Sequence, residues 1–307
     1  MEGAARSTGR RRPAAPLLYA VLLWAAIGAA LPCAVHAADQ VTILYDAFGK
    51  RADVDKDWGF AAFIEMNGKR ILFDTGNDAR RLETNARALG VDLARLDMVV
   101  ISHRHWDHTA GMAYVLRVNP RVSVFAPEEE FFGPPTPPLY FSKDADPSLP
   151  REMRYFDGRA AGTVAHGNAW PGARLTLIAG ATQIAPGIRL IVTTSDKEGT
   201  RELHEVSLLL DTPGGAVLIV GCAHPGIEKI LANATGDGTH VREIFGGIHE
   251  VLADEAAIAA TVAEVADHYK VEAVALGHCT GEAAFAAFRR RYGNSYVYAG
   301  VGEVIPL

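Results

Sequence analysis

The stretch Ser102-His103-Arg104-His105-Trp106-Asp107-His108 constrains this 307-residue chain more than any other. Three imidazoles and a carboxylate follow directly on Met98-Val99-Val100-Ile101, a short unbroken apolar run of the kind buried on both faces of a sheet. Side chains that emerge where such a strand ends lie on the edge at which open α/β sheets place their ligands. In an extended segment, residues two apart face the same side. His103 and His105 can therefore converge on one ion while Asp107 and His108, past the bend, reach a second. Chance clustering of this kind is expected in on the order of one such chain in a thousand.

Two ions need further donors, and the later histidines differ in setting. His224, in Gly221-Cys222-Ala223-His224, closes the apolar run Ala216 to Val220, and His278, in Gly277-His278-Cys279, closes Glu272 to Leu276. Both share the placement of the first cluster and are the expected additional ligands. His204 precedes a strand and is an alternative to His224. His249, after Gly246-Gly247-Ile248, has an outer-shell or substrate role as its functional reading and a structural one as its rival. His166, His240 and His268 have no such setting and read as solvated. Cys222 and Cys279 each lie beside a proposed ligand, so supporting thiols, a thiolate ligand and a disulfide all stand open.

Around these residues strands and helices alternate. Val41 to Tyr45 is a strand, and Phe60 to Met66 and Arg70 to Phe73 flank Asn67-Gly68, a strong hairpin signal. Asn77 or Asp78 caps a helix with Leu82, Ala86 and Leu89 on one face, ended by Gly90. The second half repeats the grammar: Val206 to Asp211 and Ala216 to Val220 bracket Thr212-Pro213-Gly214-Gly215, and a helix follows Pro225. Asp254 caps a helix with the stripe Ile258, Val262, Val265 and Tyr269, Glu272 to Leu276 is a strand, and Glu282 to Tyr292 is helical. Hairpins followed by helices in both halves predict an α/β fold of two facing sheets with helices outside, a four-layer sandwich. The interval Glu128 to Trp170, with Pro134, Pro135, Pro137 and Pro138, breaks the pattern and reads as a substrate-facing lid or a passive loop.

Residues 1 to 37 read as an address. Arg10, Arg11 and Arg12 precede the apolar run Leu17 to Leu31, and Val35-His36-Ala37 is a small-residue cleavage site, the layout of a secretory signal peptide cleaved after Ala37. The run is shorter than the roughly 20 residues of a spanning helix, so an uncleaved anchor is the alternative and the only membrane contact expected. Three consecutive arginines also allow a twin-arginine route. The expected product is an exported, periplasmic or secreted domain over residues 38 to 307. Of the formal charge of −6, this leader holds +3, leaving −9 on the domain. A body that acidic argues against nucleic acid and for a small-molecule substrate. Oligomeric state stays open.

Together these residues resemble the metallo-β-lactamase superfamily, whose HxHxDH hallmark appears here as His103 to His108. Trp58-Gly59-Phe60, Phe73-Asp74-Thr75-Gly76, Asn85-Ala86 through Leu89-Gly90, Thr109-Ala110-Gly111, Gly221 to Gly226 and Gly277 to Gly281 extend the resemblance to one branch. Its members are named 7,8-dihydropterin-6-methyl-4-(β-D-ribofuranosyl)aminobenzene-5'-phosphate synthases. The resemblance implies an αββα sandwich with two divalent ions, zinc first and iron or manganese as alternatives, between the sheet edges. It makes Asp107 both ligand and base, and His224 the replacement ligand where many superfamily members have a bridging Asp at the position of Cys222. Asp74 braces the ligand loop on this reading, while Arg104 and Trp106 face substrate or solvent. The activity implied is metal-dependent hydrolysis of an ester or phosphoester. A pterin-linked condensing transferase is one alternative and a non-catalytic metal-binding sensor another.

Overall fold

The structure is a computed structural model that describes residues 1–3, 9, 38–129, 148, 150 and 170–307. The expected signal segment apart from residues 1–3 and 9, and the expected excursion apart from its ends and two isolated residues, lie outside the described residues. Contacts divide the chain between Val35 and His36, and the fold below is that of the second unit.

Strand β1 (Gln40–Tyr45) pairs antiparallel with β2 (Ala61–Met66), which turns through Asn67 and Gly68, both at positive φ, into β3 (Lys69–Phe73). Helix α1 (Ala79–Ala88) starts at Asp78, whose side chain accepts from the Arg81 amide, and ends before Gly90 at φ 69°. It returns the chain to β4 (Met98–Val100), which is parallel to β3. Short helices α2 (Trp106–Thr109) and α3 (Met112–Val118) precede β5 (Ser123–Pro127), and β6 (Arg174–Ile178) extends the parallel set.

The second sheet opens with antiparallel strands β7 (Thr182–Ala185), β8 (Ile188–Thr194), β9 (His204–Thr212) and β10 (Gly215–Val220). Helix α4 (Ile227–Thr235) leads to β11 (Val241–Gly246), and α5 (Glu255–Ala263) to β12 (Ala273–Leu276), both parallel to β10. Helix α6 (Glu282–Tyr292) precedes β13 (Val304–Pro306), which crosses back to pair with β1. Among the described residues the sheets run β13-β1-β2-β3-β4-β5-β6 and β12-β11-β10-β9-β8-β7.

Three apolar layers account for this stacking. Ile43, Ile64, Ile71 and Val100 of one sheet meet Leu208, Leu210, Ile219 and Phe245 of the other. Leu72 and Val99 pack under Leu82 and Val115 of α1 and α3, and Leu218 and Val274 under Ile230, Ile258 and Phe288 of α4 to α6. The order helix, sheet, sheet, helix is the expected four-layer sandwich. The stripe after Asp254 faces one core layer throughout, Ile258, Val262 and Val265 buried and Tyr269 packed against them, but α5 passes into a π turn at Glu264–His268, after which the Tyr269 hydroxyl donates to the Glu228 carbonyl at 3.1 Å. Strands β6 and β7 carry no unbroken apolar run and show no more than partial burial over most of their length, so hydrophobic pattern does not announce them.

Candidate metal centre

Strand ends bring the candidate residues to one end of the sandwich. Asp46 follows β1, Asp74 follows β3, His103 follows β4, and the Cys222, His249 and His278 loops follow β10, β11 and β12. Since β9 runs antiparallel to β10, its first residues, His204 and Glu205, arrive at the same end. The sheets are joined there by the Val206 amide, which donates to the Ser102 carbonyl at 2.7 Å.

Two donor groups form. His103, His105 and His224 lie together, as do Asp107, His108 and His278, with the candidate ligand atoms of each group within 4.8 Å of one another. His103 Nε2 stands 3.1 Å from His105 Nδ1, and the His224 ring centroid lies 4.8 Å from that of His103 and 4.6 Å from that of His105. In the second group His278 Nε2 is 3.2 Å from His108 Nε2 and 3.3 Å from Asp107 Oδ2. Cys222 stands between them: its Sγ is 3.3 Å from His108 Nε2, and it groups with His103 on one side and His224 and His249 on another.

The other candidates sort by distance. His204, the alternative to His224, points its Nδ1 at the Glu128 carbonyl, 2.7 Å away, and joins no donor group among the described residues. His249 is exposed yet lies against His224, with ring centroids 4.3 Å apart and the rings tilted by 53°. Cys222 and Cys279 are free and buried, and their 3.3 Å Sγ separation is well beyond the bonded distance of about 2.05 Å, which removes the disulfide from the three readings. Arg104 pairs with buried Glu129 at 2.9 Å, and Trp106 faces solvent. His240 pairs with Glu272, His268 is exposed, and His166 lies outside the described residues.

Asp74 organises the first ligand loop. Its Oδ1 accepts from the Ser102 amide at 2.7 Å, and its Oδ2 accepts from Ser102 Oγ at 2.6 Å and from His108 Nδ1 at 2.7 Å. Ser102 Oγ, having donated its proton, accepts from His103 Nδ1 at 2.8 Å. A carboxylate only accepts, so this relay puts the proton on Nδ1 of both His103 and His108 and turns both Nε2 atoms toward the donor groups.

The electrostatics separate the groups. Burial holds His103 well below the usual imidazole pKa, His105 at about 4 and His224 at about 2, each assisted by neighbouring imidazoles. Burial also opposes charge on His108, but the Asp74 and Asp107 carboxylates override it and push the pKa up to about 9. Burial works to raise Asp107, and the His278 hydrogen bond with the charges of His108 and His278 overcomes it, keeping this carboxylate ionised.

Both ring nitrogens of His224, and Nδ1 of His278, are buried without a hydrogen-bond partner. Orphaned donors of this kind cost free energy unless something coordinates them. Three neutral imidazoles beside an ionised carboxylate and two more imidazoles form the nitrogen and oxygen set that divalent transition metals prefer. The residues therefore fit a metal.

A family model described as the metallo-beta-lactamase superfamily matches residues 59–278. The chain belongs to the metallo-β-lactamase superfamily. It is 25% identical over 275 residues, 80% of this chain and 88% of the relative, to a Methanocaldococcus jannaschii protein named 7,8-dihydropterin-6-methyl-4-(beta-D-ribofuranosyl)-aminobenzene-5'-phosphate synthase. A crystal structure of a metal-dependent hydrolase of the beta-lactamase superfamily superposes with a TM-score of 0.66 at 21% identity, covering 88% of this chain and 99% of that one. The metallo-beta-lactamase fold protein YhfI from Bacillus subtilis superposes at 0.55 with 10% identity, over 87% of this chain and 98% of that one. Within this superfamily member, sequence pattern missed two buried carboxylates, Asp46 and Glu205, and the relay through Ser102. The signal for Glu205 was an acid at the head of the buried run Val206 to Leu210. Trp58, quoted in the motif Trp58-Gly59-Phe60 but given no role, lies against His278 with centroids 5.0 Å apart.

Proposed function

We propose that this protein is a metal-dependent hydrolase that cleaves an ester, phosphoester or similar bond of a small-molecule substrate at a site for two divalent ions. The carrying observation is the adjacency of the two donor groups, with Cys222 between them and both ring nitrogens of His224 unpartnered. His103, His105 and His224 would hold one ion and Asp107, His108 and His278 the other. Zinc suits these donors, with iron and manganese as alternatives. Such ions would supply Lewis acidity, making water acidic enough to attack near neutral pH and polarising the attacked oxygen.

The protein's own residues do the rest. Asp107 is ionised and 19% exposed, so it can accept a hydrogen bond from an attacking water and orient it. Asp74 fixes His108 through Nδ1 and, through Ser102, fixes His103. Trp58, half exposed, lies against the His278 ring and walls that side of the site. Export through the amino-terminal segment belongs to the same reading and would deliver the chain to a metal-accessible compartment.

The test is turnover by purified protein on a panel of esters and phosphoesters. Chelation should abolish it, restored metal should recover it, and His103→Ala should lower kcat/KM by more than the 10–100-fold typical of an outer-shell change. Turnover that survives chelation or the substitution refutes the proposal. The name of the M. jannaschii relative supports a second reading, a condensing transferase acting on a dihydropterin and a ribofuranosylaminobenzene phosphate. Product formed from those two compounds, with none from the panel, would replace the hydrolase by it. Metal uptake below two ions per chain and no turnover of either kind would favour a sensor.

A further inference from the structure

We infer that two buried carboxylates outside the donor groups, Glu205 and Asp46, each position one of them: Glu205 the group of His103, His105 and His224, and Asp46 the group of Asp107, His108 and His278. The inference rests on the metal reading above and concerns what holds the imidazoles still.

Four histidines of the two groups are buried. Two are braced through the ring: His103 Nδ1 by Ser102 and His108 Nδ1 by Asp74. The other two, His224 and His278, have Nδ1 atoms with no partner. Metal-binding imidazoles ordinarily gain their orientation from a hydrogen bond at the second ring nitrogen. His224 and His278 lack it, and these same two have backbone amides that donate to a fully buried carboxylate.

Glu205 Oε1 accepts from the amides of Cys222 at 2.9 Å and Ala223 at 2.7 Å, and Oε2 from that of His224 at 2.8 Å. Ala223 stands at φ 58°, the left-handed conformation that aims successive N–H groups into one concavity. Asp46 Oδ1 accepts from the Ala47 amide at 2.7 Å, and both its oxygens accept from the His278 amide, at 3.2 and 3.0 Å. His278 is itself at φ 49°, and a side chain on Gly277 would meet Asp46 Oδ2 at 2.6 Å. Neither carboxylate forms an ion pair with Lys or Arg among the described residues. These amides satisfy both buried carboxyl groups, and in return the carboxyl groups fix two strained loops whose His224 and His278 rings have no partner at Nδ1.

Glu205→Gln and Asp46→Asn keep size and shape but present an NH2 where an oxygen accepted, so at least one of the amides is left facing a donor. Each is made in two backgrounds: His278→Ala, which keeps the His103, His105 and His224 group, and His105→Ala, which keeps the other. Cobalt(II) binding is titrated by its visible absorption, with circular dichroism confirming the fold. Glu205→Gln should weaken cobalt binding 10–100-fold in the His278→Ala background and by less than about 2-fold in the His105→Ala background, and Asp46→Asn should do the reverse. Equal losses in both backgrounds, as general destabilisation would give, overturn the inference, and so does no loss in either. Native protein that takes up two ions without such selectivity in its variants sinks this inference alone. Native protein that takes up no cobalt sinks the metal reading and this inference with it.

Discussion

At the scale of single residues, oxygen neighbours decide where protons sit. Asp74 accepts from Ser102 twice and from His108, so replacing it by Asn puts a donor against at least one of them and frees the His108 ring to change tautomer. Asp74→Asn should therefore lower metal affinity about 10–100-fold, measured by competition with a chelating dye. The buried imidazoles also set a pH profile for the metal-free protein. His103, His105 and His224 are neutral when folded, whereas the unfolded chain protonates them below about 6.5. Unfolding then takes up protons, and stability falls as pH drops below that value. His108 runs the other way. Its folded pKa of about 9 lies above the unfolded value of about 6.5, so its contribution is complete below the latter and is lost as pH rises through the former. That contribution is on the order of 3 kcal/mol. Urea midpoints of metal-free protein should peak near neutrality, and a midpoint that climbs steadily from about pH 6 to about pH 9 would contradict the assignment.

At the scale of elements, the loops that carry the site depend on how closely parallel strands approach. Gly246, the last residue of β11, has φ 102°, and a Cβ there would lie 1.9 Å from the Val220 carbonyl oxygen at the end of β10. Gly246→Ala must strain the backbone and push apart the strands that carry Cys222 and His249. A loss of more than about 3 kcal/mol in a denaturant titration is expected. A helix end far from that contact should behave differently. Asp78→Ala removes one capping bond from α1 and should cost about 1 kcal/mol with metal binding unchanged. The hairpins and helices were legible because their cues are local, namely Asn67-Gly68, the Asp78 cap and Gly90. The π turn after α5 was not, because it answers a contact with Glu228 on another helix.

At the scale of the whole molecule, ions that bind only the folded form must stabilise it by mass action. At a concentration 100 times Kd, each site adds about 2.7 kcal/mol, so zinc should raise the melting temperature of chelator-stripped protein by several degrees. A melting temperature indifferent to zinc, iron and manganese would speak against bound metal. The sequence by itself determined the apolar runs, their caps and turns, and the cluster from His103 to His108, because burial period and ligand spacing are written within a few residues. It also placed His224 and His278 at strand ends, since the residue after a buried run has to emerge. Only the tertiary structure decided that β9 and β10 set Glu205 against the Cys222 loop, that β1 and β12 set Asp46 against His278, and that two thiols stand near each other unbonded. These meetings join residues from 17 to 232 positions apart. They follow from strand order and layer packing, which depend on how complete apolar faces cover one another and leave no trace in local spacing.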